Sequence, residues 1–149
     1  MVESAIHMGP RIRIKVNPQF KGIYNALKNR AVGDFHELFF ICACIGHKMG
    51  KSEPLKKGDD FFFADTILPD EWYAYHAIYL HDHGMELSCL GDNKTVIVAM
   101  QEYANGGMAY LIEEFLCDYT KKDSSGNYIV DHLDQLPKEL LVKLTMDWS

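Results

Sequence analysis

The chain has 149 residues, 48% of them hydrophobic and 24% charged, which suits one soluble domain with a real core and excludes a disordered or low-complexity protein. No apolar run reaches the roughly 18 residues a membrane-spanning helix needs, and the start MVESAIHMGPRIRI lacks the basic-then-apolar layout of a signal peptide, so a cytoplasmic protein is expected. Net charge is −6, but Arg11 to Lys57 carries ten Lys/Arg against three acids and Gly58 to Ser149 five Lys against seventeen. Such asymmetry marks either a charged partner surface or two halves that neutralise each other on packing.

Residues 1–10 show no periodicity and read as a tail; 11–149 read as a single domain. RIRIKV (Arg11–Val16) alternates basic and apolar residues at strand period, with Ile12, Ile14 and Val16 facing inward. A lone strand needs a partner, and FFFADTI (Phe61–Ile67) is the best candidate. Asn17-Pro18 then supplies a cap and a first-turn proline for a helix carrying Phe20, Ile23, Tyr24 and Leu27 at helical spacing as far as about Arg30. Gly33 breaks the chain, and Asp34 with Glu37 makes a capping box for FHELFFICACIGHKM, apolar nearly all round and therefore the buried central helix.

KSEPLKKGDD reads as a loop. A third helix starts near Pro69, with Asp70 and Glu71 suited to the dipole of its first turn, and stops at Gly84; Trp72, Tyr75, His76 and Tyr79 give it an aromatic face. From Lys94 to about Tyr119 a long apolar periodicity is interrupted by Asn105-Gly106-Gly107. Two adjacent helical glycines cost about 2 kcal/mol relative to alanine. Either the helix ends there and restarts, or it stays whole because another backbone packs closely against it. KKDSSGN is read as a surface loop, and a last helix spans about Pro137 to Met146. The expected fold is mainly α: one compact domain of five to six helices with a short N-terminal strand or two-stranded element.

GHKMGKS resembles a phosphate-binding loop, which needs G-x-x-x-x-G-K-S/T after a strand and at the start of a helix, where backbone amides cradle the phosphates. Here the glycines are one residue too close, a helix precedes, and Glu53-Pro54 forbids a following helix. Nucleotide binding is not expected. Lys48 sits where a cation offsets a helix dipole. Lys51, Lys56 and Lys57, with Arg11, Arg13, Lys15 and Lys48 itself, are the candidate surface for an acidic partner or a phosphate backbone, although no aromatic residues interleave them.

His81-Asp82-His83 invites a metal reading, but i and i+2 on a helix face different ways, and His76 and His83 lie two turns, roughly 10 Å, apart. Such a site would need ligands from elsewhere, such as His36 or Asp34. The four cysteines (Cys42, Cys44, Cys89, Cys117) form no C-x-x-C pair and read as reduced, apolar core residues. Glu102, Glu113 and Glu114 fit the polar face of a helix, and Ser88 has no base beside it. No catalytic residue, cofactor or metal is expected.

Three stretches in order, RIRIKV, FFICACIGHKMGKSEPLKK and QEYANGGMAYL, are similar to the small proteins called DNA phosphorothioation (Dnd) system-associated protein 4. The positions that carry the likeness are Gly46, Gly50, Lys51, Pro54 and Leu55, then Glu102, Tyr103, Ala104, Asn105 and Gly107, within Arg11 to Tyr119. The aromatic third helix and the segment after Lys121 lie outside the pattern. The resemblance implies a bacterial accessory protein encoded beside DNA-modification or anti-phage defence systems, phosphorothioation or a related one, with no catalytic residues to carry over. The expected role is a non-enzymatic subunit docking a larger protein and, through the basic segment 11–57, DNA. The alternatives are a homo-oligomeric structural protein without nucleic acid, and a small metal-dependent hydrolase built on His76, His81 and His83.

Overall fold

A computed structural model of the chain describes residues 12–28, 34–55, 58–88 and 93–130. The tail 1–10, Arg11, the Gly33 break, Lys56, Lys57, Cys89 and the helix expected at 137–146 lie outside the described residues. Among the described residues there are four α-helices and two two-stranded sheets, so the fold is mainly α with short strand elements. The described residues hold four of the expected five to six helices, and the one expected at 137–146 lies outside them.

Strand β1 (Arg13–Val16) buries Ile14 and Val16 and exposes Arg13 and Lys15, as its alternation requires. It pairs antiparallel with β2 (Asp59–Phe63), which begins two residues earlier than the aromatic run suggested. The register runs Ile14 to Phe62 and then Lys15 to Asp60, leaving Phe61 as the extra residue of a bulge. The bulge lets two consecutive side chains reach the same side of the sheet. Phe61 packs on Tyr24 and Phe35 at centroid distances of 4.8 and 4.4 Å, and Phe62 meets Phe39 edge-on at 5.5 Å.

Asn17 accepts the Gln19 amide and opens a 3₁₀ turn, Pro18–Phe20, that runs into the short helix α1 (Lys21–Leu27). Helix α2 (Phe35–Met49) has the predicted bounds and buries Leu38, Phe39, Cys42, Ala43 and Ile45. Its expected capping box does not form, because the Asp34 side chain makes no capping bond and the Glu37 amide goes to the Asp34 carbonyl instead. Helix α3 (Pro69–Asp82) is started by Glu71, whose carboxylate accepts the Leu68 amide at 2.9 Å, and ends before Gly84 at φ +66°.

Helix α4 (Asn93–Glu114) runs without a break through Asn105-Gly106-Gly107. It packs along α2, and these two helices carry the centre of the core, with Cys42, Ala43, Ala104 and Met108 fully buried. The chain then forms a hairpin of β3 (Thr120–Lys122) and β4 (Tyr128–Val130), so the loop reading of KKDSSGN is corrected to a strand end followed by a turn. In that turn the Asp123 carboxylate accepts the amides of Ser125 and Asn127, at 2.9 and 3.0 Å. The hairpin lies on α1, where Phe20 stacks on Tyr128.

Candidate functional site

The segments Gly46–Leu55 and Gln101–Gly107, some fifty residues apart in sequence, are packed against each other. A Cβ on Gly107 would overlap the Cys42 carbonyl oxygen and stand 2.9 Å from the Gly46 amide nitrogen; one on Gly46 would overlap the Tyr103 carbonyl. The two helix backbones are therefore in direct contact, and this answers the double-glycine question in favour of an unbroken helix. Gly106 faces the next segment, where a Cβ would stand 2.7 Å from the Ser52 nitrogen.

The GHKMGK stretch is a helix stop of the Schellman type. Gly50 takes φ +65°, its amide goes to the His47 carbonyl at 3.2 Å, and the Lys51 amide reaches the Gly46 carbonyl at 2.7 Å. No helix follows the turn, as the proline at position 54 required. The turn is then tied to the side of α4. The Glu53 amide donates to the Glu102 carbonyl at 3.0 Å, and the Asn105 amide group donates to the Glu53 carbonyl at 3.5 Å. Asn105, 2% exposed, also accepts the Asn17 amide, and its neighbour Gln101 accepts the Lys15 amide at 2.8 Å. Buried side-chain amides must find partners, and these two find theirs on the strand and the turn. The residues quoted for the family resemblance thus form one structural unit.

What this unit presents to solvent is mixed in charge. Lys48, Lys51, Ser52, Glu53 and Pro54 are exposed, and a shallow groove beside them is lined by Gly50, Lys51, Glu53, Gly106, Tyr110 and Glu113. On the strand, Arg13 meets Asp60 at 3.7 Å and lies 4.3 Å from the Phe63 ring centre, and Lys21 meets Asp59 at 3.9 Å. Part of the basic segment is therefore neutralised by the acidic half of the chain. Lys15 and Lys51 have no carboxylate within ion-pair distance among the described residues.

No protein-family model, curated protein or solved structure matches the chain. The resemblance rests on the residues quoted for it, and the chemistry must be read from the geometry.

One polar cluster joins helices the sequence did not connect. Packing at Gly46 and Gly107 brings the last turn of α2 beside the middle of α4, and the last turn of α3 meets both. His47 Nε2 lies 3.1 Å from Asp82 Oδ1, and His81 Nδ1 lies 3.5 Å from the same oxygen. The Tyr103 hydroxyl donates to Asp82 Oδ2, and the His47 ring stands edge-on to both His81 and Tyr103. Burial pushes the Asp82 carboxyl upward, but hydrogen bonds from Tyr103, His81 and His47, with the charge of His47, outweigh it and hold the group below its usual range. Burial and the adjoining Asp82 raise the Tyr103 hydroxyl to about 12.

Of the histidines singled out in the sequence, only His81 belongs to this cluster. His76 bonds Asn93 at 3.1 Å, and His83 turns back to the Tyr79 carbonyl at 2.8 Å and stacks on that ring. The second helix does supply a partner, but it is His47 and not His36, whose Nδ1 lies 3.0 Å from the buried Glu71. His47 and Tyr103 were missed; the signal that could have found them is their place beside Gly46 and four residues before Gly107.

The cysteines divide. Cys42 is fully buried and its thiol is pushed up to about 12, mainly by desolvation, so it is inert. Cys117 is exposed, against the expectation of a core position.

Proposed function

We propose that the chain is a non-catalytic binding subunit of a bacterial DNA-modification or anti-phage defence assembly, cytoplasmic, docking a larger protein through the Gly50–Leu55 turn. The observation that carries this reading is the way the turn is held. Backbone bonds to Gly46 and Glu102, the Asn105 side chain and the glycine contacts fix it on the central helix pair, while the side chains of Lys51, Ser52, Glu53 and Pro54 stay exposed. A segment fixed this firmly with an outward-facing Lys51 is pre-organised for docking, which lowers the ordering cost of association. The family resemblance, concentrated in these residues, supplies the cellular setting.

A protein partner is favoured over DNA because Arg13 and Lys21 already face Asp60 and Asp59, and Glu53 and Glu113 line the groove next to Lys51. A phosphate backbone would be repelled by those carboxylates; a protein of mixed charge would not. Direct DNA contact through Lys15, Lys51, Lys56 and Lys57 is the second reading. The test is affinity capture from the native host with the wild type and with Lys51→Glu/Lys56→Glu/Lys57→Glu, alongside DNA binding measured against salt. Recovery of a defence-system component by the wild type and its loss in the variant supports the proposal. Equal recovery by both overturns the assignment to the turn, and no DNA binding at low salt removes the second reading.

A further inference from the structure

We propose that the junction of the α2 and α3 C-terminal turns is a binding site for one divalent transition-metal ion, with His47 Nε2, His81 Nδ1 and Asp82 Oδ1 as its ligands. The three atoms lie within 4.8 Å of one another and come from two helices, a set that the spacing along either helix alone cannot provide. Tetrahedral zinc with metal–ligand bonds of about 2.0–2.1 Å has ligand-to-ligand edges of about 3.3 Å. The two edges at Asp82 Oδ1 are 3.1 and 3.5 Å, so each imidazole stands at ligand spacing from the carboxylate already, and the two imidazole nitrogens lie within 4.8 Å of each other.

Three further features suit a cation here. Both helices end at the cluster, so the partial negative charge of two C-termini converges on it. Tyr103 holds the far carboxylate oxygen and so fixes which oxygen faces the histidines, the outer-layer bond that metal carboxylates usually have. His81 is 73% exposed at its side chain, which leaves solvent access for an ion and for water at the remaining position. Two imidazoles with one carboxylate select zinc, cobalt or nickel over calcium and magnesium, which prefer all-oxygen shells.

A second grouping of possible ligands among the described residues, Asp34, His36 and Glu37, is placed at the positive N-terminal end of α2, and His36 already faces Glu71. It serves as the control. Untagged full-length protein, stripped with a chelator, is titrated with Zn2+ by calorimetry and with Co2+ by visible absorption. The expected result is one ion per chain, with zinc bleaching the cobalt spectrum. His81→Ala and Asp82→Asn, both at exposed positions, abolish this binding with the circular dichroism unchanged. Tyr103→Phe weakens it about 10–100-fold, as loss of an outer-layer partner does. Asp34→Asn and His83→Ala leave it unaltered. The proposal fails if the wild type takes up no ion at millimolar metal, if a stoichiometric ion survives both His81→Ala and Asp82→Asn, or if Asp34→Asn removes it. None of these readouts depends on the docking partner.

Discussion

Replacing Gly107 by alanine tests the packing of the two central helices. On a free helix the change should stabilise by about 1 kcal/mol, because alanine is the better helix former. Here the new methyl would overlap the Cys42 carbonyl oxygen outright and stand 2.7 Å from its carbon, while ordinary contact begins at 3.4 Å, so clearing the carbon alone takes 0.7 Å and clearing the oxygen parts α2 and α4 further still. A gap of about 0.5–1 Å forfeits a quarter to a half of each dispersion contact along the seam. The obstacle is backbone and cannot swing aside, so overpacking at about 3 kcal/mol, the upper end of its usual range, is expected. The net loss is about 2 kcal/mol, or a Tm lower by about 4–8 °C in a domain of this size. Thermal unfolding followed by far-UV circular dichroism measures it. Gly50→Ala is the companion variant: it meets open space at φ +65° and should lose only about 1 kcal/mol from its left-handed backbone. A Gly107→Ala protein as stable as wild type, or more so, would refute the direct backbone contact.

Asn105→Ala should cost about 1–3 kcal/mol by leaving the Asn17 amide and the Glu53 carbonyl without their partner, and hydrogen exchange at the Glu53 amide should quicken with it. Thiol alkylation mapped by peptide mass spectrometry should label Cys117 readily in the native protein and Cys42 only on unfolding. Raising the pH to 9 should still leave Cys42 of the native protein unlabelled, because burial pushes its thiol up to about 12.

Most of the fold was legible because its signals are local. The bounds of α2, the Gly84 stop, the alternation of β1 and the rejection of a phosphate loop each follow from a few neighbouring residues. The site was less legible, since its geometry is set by contacts between distant segments. Gly106-Gly107 reads locally as a helix breaker, and only the carbonyl of Cys42 lying against it decides otherwise. His47 looks like a cation ending a helix until Asp82 is placed 3.1 Å away. The hairpin of β3 and β4 was missed because three-residue strands are too short to show a period, and the bulge at Phe61 because it is set by the pairing with β1 and not by β2 alone.

The dependence of so many segments on residues 101–107 has a consequence for synthesis. β1, the Asn17 turn, the end of α2 and the Gly50–Leu55 turn all draw their fixing bonds from that one stretch of α4. While the ribosome adds the 58 residues between Met49 and Gly107, at about 5–20 per second, the apolar α2 waits about 3–12 s without its partner helix. Folding of the first half is therefore governed by the arrival of the second, and the apolar face of α2 stays without its partner until residue 107 has been added.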